Sequence, residues 1–183
     1  MAIEHLWATW RSLYVTGGSS VSVDDGAPGT LFERILGAPG TDRERNIVSR
    51  GEHCFVLLNL FPYTSGHLMV LPNVGVARLD QLDRPTHDEL WRTVSVAVTA
   101  LELGFGCHGV NVGINLGPSA GGSQSDHLHV HCVPRWVGDT NFMGAVTETR
   151  VLPIPLDQAH DSLVAVWAEA TRQCETGPNG TPS

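Results

Sequence analysis

The most constraining stretch of the chain is Asp126-His-Leu-His-Val-His-Cys-Val-Pro-Arg-Trp136, because an extended strand gives its pattern a physical meaning. Along a β-strand successive side chains face opposite ways. His127, His129 and His131 then share one face, with about 7 Å between neighbours at ordinary strand rise. Leu128, Val130 and Cys132 take the other face and suit a packed core. A single histidine in a strand is most often structural, whereas three at a period of two, with apolar residues between them, mark a site.

Other short runs supply the rest of a sheet. Cys54 to Leu60 and His67 to Pro72 are apolar and flank Phe61-Pro-Tyr-Thr-Ser-Gly66, as two strands joined by a turn. Gly109 to Leu116 alternates Val110, Val112 and Ile114 with Asn111, Gly113 and Asn115, a half-buried strand. His127 to Val133 follows after the loop Gly117-Pro-Ser-Ala-Gly-Gly-Ser123. Glu4 to Val15 sets Leu6, Trp7, Trp10, Leu13 and Tyr14 near helical spacing. A long helix opens at Arg84, with Thr86 as its cap and Glu89 three residues on as in a capping box. Leu90, Trp91, Val94, Val98 and Leu101 form its apolar stripe. Leu156 to Gln173 is the closing helix. Strands in hairpin-like pairs, with helices set apart from them, indicate an α+β fold with an antiparallel sheet.

With 183 residues, 42% hydrophobic and 16% charged, the chain reads as globular and long enough for a well-filled core. One domain is expected over 1–175, with 17–29 as a flexible loop and 176–183 as a frayed polar tail. The formal net charge of −8 argues against a nucleic-acid or anionic-membrane surface, since both want clustered Lys and Arg. It leaves room for a small phosphorylated ligand at one locally positive site. No run approaches the roughly 20 apolar residues of a membrane span. Glu4 and His5 stand where a signal peptide carries basic residues, so a cytoplasmic protein is expected. Cys54, Cys107, Cys132 and Cys174 are scattered, and imply neither a disulfide frame nor a zinc site.

Two chemistries compete for the histidine row. His-x-His on a strand can give two ligands to zinc or iron. Alternatively, neutral imidazole, with an ordinary pKa near 6.5, is a good nucleophile at neutral pH, and a phosphoimidazole splits one hard displacement into two easier ones. The upstream loop favours phosphate. Gly117, Gly121 and Gly122 allow close backbone approach, Ser119, Ser123 and Ser125 offer hydroxyls, and backbone N–H groups in such a loop can cradle phosphate oxygens. Arg135 is either a further cation for that site or half of an ion pair. A metal would also want a carboxylate close by, and Asp126, the adjacent candidate, alternates to the wrong face.

His127-Leu-His-Val-His-Cys-Val133 has the form His-φ-His-φ-His-φ-φ, where φ is apolar. Leu6-Trp-Ala-Thr-Trp-Arg11, Asn59-Leu-Phe-Pro-Tyr63, Ser65-Gly-His-Leu-Met-Val-Leu-Pro72, Gly109-Val-Asn-Val-Gly-Ile-Asn115, Ala120-Gly-Gly122 and Pro134-Arg-Trp136 accompany it. Together they resemble the histidine triad (HIT) family, and most of all its actinobacterial branch that includes diadenosine tetraphosphate phosphorylases. In that branch the triad is followed by Pro-Arg-Trp and a Gly-Asp-x-Asn-Phe stretch, here Gly138-Asp-Thr-Asn-Phe142. The resemblance runs from Glu4 to about Ala170.

The resemblance implies a HIT-like fold: an antiparallel sheet of about five strands with a long helix, a C-terminal helix and a short N-terminal helix, in a homodimer. It also implies a nucleotidyl transferase or hydrolase that cleaves a dinucleoside polyphosphate at the α-phosphate. His129 would attack phosphorus to form a nucleotidyl-histidine, which phosphate or water then releases. A nucleoside phosphoramidate or a pathway-specific nucleotide is the alternative substrate, and a non-catalytic nucleotide-binding module the alternative role. His127 and His131 would hold phosphate oxygens and set the orientation and tautomer of the nucleophile. Asn115, Gly122 and Ser123, with Gly121 beside them, would contact the phosphates and assist the leaving group. Asn59 matches the ribose position, Leu57 the base pocket, and His67 a histidine that supports the triad from behind. Asn59 has a second reading as the cap of the turn before Phe61-Pro62, and Ser123 as an ordinary loop serine. No cofactor is implied, and magnesium would enter only with the substrate's phosphates. The partners implied are a purine nucleotide or dinucleoside polyphosphate, and inorganic phosphate.

Two departures accompany the resemblance. Many bacterial relatives carry a zinc-binding Cys-x-x-Cys in the segment where this chain has Gly29-Thr-Leu-Phe-Glu-Arg34. Thr30 and Glu33 stand in place of the cysteines, so a structural zinc is not expected. Gln124-Ser125-Asp126 before the triad and Val137 after Trp136 also differ, where a leaving group or second nucleotide would rest.

Overall fold

The computed structural model describes residues 26–121, 124–139 and 154–176. The expected N-terminal helix, most of the 17–29 loop, Gly122, Ser123, Thr140-Asn-Phe142 and nearly all of the tail lie outside these residues. Five strands form one antiparallel sheet: β1 (Ile47–Arg50), β2 (Cys54–Leu58), β3 (Leu68–Pro72), β4 (Gly109–Ile114) and β5 (Val130–Arg135), in the order β1-β2-β3-β5-β4. Among the described residues three α-helices accompany them: α1 (Leu31–Gly37), α2 (Arg84–Phe105) and α3 (Leu156–Thr176). The α+β class and the five-stranded antiparallel sheet are as expected.

Alternation along β2 and β3 sorts their side chains between two apolar layers. Cys54, Val56, Leu58, Leu68 and Val70 join Leu128, Val130 and Cys132 in a core completed by Leu90, Val94, Ala97 and Leu101 of α2 and Leu163 of α3. Phe55, Leu57, Met69 and Leu71 point the other way and pack with Ile47 and with Phe32 of α1. Strands covered on both faces lose the polar half of their alternation, which is why β2 and β3 read as unbroken apolar runs.

Several local expectations are corrected. The cap of α2 is Asp83, whose carboxylate accepts from the backbone N–H of Thr86 at 2.9 Å. Pro85, in the first turn, has no N–H to lose and a φ already set for the helix, so the helix starts before Thr86. Glu89 closes no capping box. Its carboxylate accepts instead from the backbone N–H groups of His53 and Cys54, at 3.0 and 2.9 Å, and ties α2 to the start of β2. Trp91 is exposed rather than part of the buried stripe, where Ala97 and Ala100 stand instead. The helix stops at Gly106, in the left-handed conformation at φ +58°. Strand β2 ends at Leu58, and α3 runs on to Thr176.

Two features place the site. Gly66 has φ +84°, and a Cβ there would come within 2.5 Å of the Phe105 ring, so the β2–β3 turn lies directly on the end of α2. Strand β5 begins at Val130, three residues later than expected. In the β3–β5 register Val70 faces Val130, so Pro72 would face Leu128. Proline has no N–H to extend a ladder. The Leu128 N–H goes to Val76 O at 2.6 Å, and the Pro72 carbonyl is left for a side chain.

Candidate active site

The histidines keep the faces that alternation assigned. Leu128, Val130 and Cys132 sit in the core under α2 and α3. His127, His129 and His131 turn toward the α1 side, where the Phe32 ring lies 5.4 Å from that of His127 and 5.5 Å from that of His129. All three are buried, His127 most completely.

His127 is held at both ring nitrogens. Its Nε2 lies 2.9 Å from the carbonyl of Pro72, and its Nδ1 lies 2.6 Å from Oγ1 of Thr30. A carbonyl can only accept, so the proton of the neutral ring is on Nε2 and the Thr30 hydroxyl donates to Nδ1. With both nitrogens so engaged, neither is open to a phosphate oxygen in this structure. Its contact with His129 comes through its main chain: the carbonyl of His127 lies 2.8 Å from Nδ1 of His129. That bond places the His129 proton on Nδ1 and the ring's lone pair on Nε2. No described residue hydrogen-bonds to that Nε2.

His131 is supported by a different chain of contacts. The backbone N–H of Tyr63 donates to Nδ1 of His67 at 3.2 Å, so the His67 proton sits on Nε2, 3.0 Å from Nδ1 of His131. His67 therefore donates to His131, and the proton of neutral His131 is on Nε2. Nδ2 of Asn115 lies 3.3 Å from that atom, and since a nitrogen donor cannot take the proton, the amide accepts it only when turned with its oxygen inward. The rings of His129 and His131 meet edge to face at 4.8 Å. Asn59 serves the same chain: its Oδ1 accepts from the backbone N–H of Phe61 at 3.0 Å and its Nδ2 lies 3.3 Å from Nδ1 of His67. Both ends of its amide take part in the turn, as in the capping reading of this residue.

Burial is the largest influence on all three imidazoles and pushes each below the ordinary histidine range. The carbonyls of Pro72 and His127 pull back on His127 and His129 respectively. His131 is pushed down to about 4, first by burial and then by His129 beside it. At pH 7 the row is neutral, the state in which imidazole nitrogen can act as a nucleophile.

The remaining expected residues divide. Leu57 lies in the apolar layer with Phe32 and Met69, beside the histidine row. Gly121 is exposed, with φ +92°, at the end of a short 3-10 turn over Pro118–Ala120. Gly122 and Ser123 lie outside the described residues. Arg135 is in an ion pair with Asp139, at 2.6 and 2.8 Å, and also donates to Oδ1 of Asn111. Three contributors escaped the sequence reading: Phe32 of α1, the hydroxyl of Thr30 and the carbonyl of Pro72. Thr30-x-x-Glu33 is itself a capping-box pattern, and that signal was available.

Thr30 and Glu33 form that box at the start of α1. Oγ1 of Thr30 accepts from the Glu33 N–H at 3.3 Å, and Oε2 of Glu33 accepts from the Thr30 N–H at 2.6 Å. The other Glu33 oxygen accepts from the Gly75 N–H at 2.9 Å. These backbone bonds, Gly75 first, hold the Glu33 carboxyl below its ordinary range. The oxygens of Glu33 and Nδ1 of His127 are thus engaged by hydrogen bonds, and the set does not fit a zinc ion, which would need them as ligands. Among the described residues no three His, Cys, Asp or Glu side chains are grouped to hold a metal.

The chain is 36% identical to AP-4-A phosphorylase of Mycobacterium tuberculosis over 167 residues, 91% of this chain and 85% of that protein. It is 31% identical over 97 residues to a bis(5'-adenosyl)-triphosphatase of Dictyostelium discoideum, which covers 53% of this chain and 64% of the relative. Among solved structures, a zinc-bound histidine triad family protein from Mycobacterium smegmatis superposes with a TM-score of 0.61 at 25% identity, over 76% of this chain and 94% of the other. The HIT domain family model matches residues 41–137, which contain all five strands in full and the whole histidine row. With that match and the mycobacterial relative, this chain belongs to the HIT family.

Proposed function

We propose that the protein is an enzyme that cleaves a dinucleoside polyphosphate of the diadenosine tetraphosphate type at its α-phosphorus, through a nucleotidyl-histidine on His129. The observation that carries this reading is the His129 ring: its Nδ1 is tied to the carbonyl of His127 and its Nε2 keeps a lone pair toward the site. The name and 36% identity of the mycobacterial relative supply the substrate class.

In this reading the Nε2 lone pair of His129 forms a bond to the α-phosphorus and the bond to the departing polyphosphate oxygen breaks. The polyphosphate leaves as its anion, and the Nε2–H of His131, kept on that nitrogen by the His67 hydrogen bond to Nδ1, donates a hydrogen bond to the phosphate oxygens. Phosphate or water then attacks the same phosphorus from the site and releases the nucleotide from His129. The exposed loop around Gly121 receives the phosphates, and the apolar layer of Phe32 and Leu57 receives the base. No protein-bound cofactor takes part, and magnesium enters with the polyphosphate.

The reading includes a homodimer. Strand β4 is the edge of the sheet, with Val112 and, just beyond it, Leu116 exposed, and such an edge suits pairing with a second copy. A monomer by light scattering at assay concentration would refute this part. No helix among the described residues is long and apolar enough to cross a membrane, and we place the activity in the cytoplasm.

The test is incubation with diadenosine tetraphosphate, with and without inorganic phosphate, followed by chromatography of the products. ADP and ATP formed only with phosphate identify phosphorolysis. AMP and ATP without phosphate identify hydrolysis. No cleavage of the dinucleotide alongside turnover of a nucleoside phosphoramidate would overturn the substrate class.

A further inference from the structure

We infer that Thr30 is a positioning residue for catalysis: its hydroxyl, oriented by the cap of α1, fixes the His127 ring and thereby the carbonyl that holds the proton of His129. This rests on the reading of His129 as the nucleophile. The hydroxyl has one proton and two engagements. It accepts from the Glu33 N–H at 3.3 Å, so its own proton is free to go to Nδ1 of His127 at 2.6 Å. The opposite tautomer of His127 would set an Nε2 lone pair against the Pro72 carbonyl, two acceptors facing each other in a buried space.

The clamp has two jaws with a common root. One is Thr30 at the head of α1, the other the Pro72 carbonyl at the end of β3, and Glu33 joins them. Its carboxylate binds the Thr30 N–H on one side and the Gly75 N–H, in the turn that follows Pro72, on the other. The Phe32 ring closes the space at an interplanar angle of 84° to His127. Rotating the ring breaks its contacts to Thr30 and Pro72, and moving its proton to Nδ1 sets the Nε2 lone pair against the Pro72 carbonyl. Because the His127 carbonyl follows the placement of its ring, slack in the clamp would loosen the 2.8 Å contact to Nδ1 of His129. The lone pair of His129 would then spend time on the wrong nitrogen.

The experiment compares T30V, T30S, T30D and H129A, using steady-state kinetics on diadenosine tetraphosphate and long-range 1H–15N NMR of the imidazoles at pH 7. T30V removes the donor at nearly equal volume. Its kcat should fall about tenfold, the lower end of what loss of a supporting hydrogen bond costs, with KM within about twofold. The two His127 nitrogen shifts should move toward each other as its tautomers mix. T30S restores the donor and should return both readouts to wild type. T30D keeps an acceptor for the Glu33 N–H and so preserves the cap, but has no proton to donate. It should show the same loss of kcat, with a protonated Nδ1 on His127. A folded T30V with wild-type kcat and unmoved His127 shifts overturns the inference. If T30V does not fold, wild-type kcat and shifts in T30D overturn it. Turnover in H129A would refute the nucleophile, and the His127 shifts would still judge Thr30 separately.

Discussion

His127 and His131 flank the same central histidine, occupy the same face of one strand and share apolar sequence neighbours, yet their surroundings make them different tools. The hydrogen-bond chain at His127 ends in an acceptor, the Pro72 carbonyl, and draws the Nε2 proton into the protein. The chain at His131 begins with a donor, the Tyr63 N–H, and passes through His67, so the Nε2 proton of His131 points to the rim beside Asn115. One imidazole is a strut, and the other turns a hydrogen-bond donor toward the rim. The polarity of an imidazole is thus set by the fixed backbone group at the end of its chain, one contact away for His127 and two for His131, rather than by the ring's own place in the pattern.

The largest effect should come from the residue between the two. H129N should lose turnover by on the order of 10⁴-fold or more, with a thermal midpoint close to wild type. A folded variant with retained activity would leave both flanking chains without a purpose. Next, H67F keeps an aromatic ring between Tyr63 and His131 but removes the donor. We expect a loss of kcat of about 10- to 100-fold with the His127 nitrogen shifts unmoved. Equal disturbance of His127 would show that the two ends are not independent.

The pH dependence of stability sharpens the contrast further. An imidazole whose folded pKa lies below its unfolded value takes up a proton in the unfolded chain first, so stability is complete above the unfolded value near 6.5 and declines as pH falls. For His131 the decline extends down to about 4. Urea midpoints measured at intervals between pH 7 and 4 should fall through this window and fall less in H131N. A flat profile in the wild type would contradict the burial of the row. The smallest effect is G66A, where the left-handed φ and the clash with Phe105 should cost at least about 2 kcal/mol in urea unfolding. Because Gly66 adjoins His67, its activity loss should track the His131 end alone.

How much of this was legible in the sequence follows from the range of each interaction. The faces of His127, His129 and His131 follow from a period of two, and the β2–β3 hairpin from two apolar runs around a turn; both are local. Strand β1, four residues of Ile-Val-Ser-Arg, is too short to show a period. Helix α1 is seven residues, too short to show a period, and Thr30 and Glu33 stand where relatives carry cysteines, which hides the pair's role as a cap. The partner of His127 lies 97 residues earlier in the chain, and no spacing rule connects the two. Asn59 and Asp83 illustrate a milder limit. Each type has more than one local use, and Pro85 and the Phe61 N–H decide between them.

The strand order also bears on how the molecule assembles. β2 and β3 are joined by nine residues, 59–67, whereas the pairing of β3 with β5 joins Val70 to Val130 and encloses the whole of α2. Closing the longer loop costs more chain entropy, so contacts of that kind form late. The hairpin carries His67 and the turn of Asn59, but His129 sits at the mouth of the last strand to be inserted. Regain of catalytic competence after dilution from denaturant should therefore lag amide protection at Val56 and Val70. Simultaneous recovery would mean that β5 docks with the hairpin in one step. In a cell, a nascent chain of this design holds no active histidine until its sheet is complete.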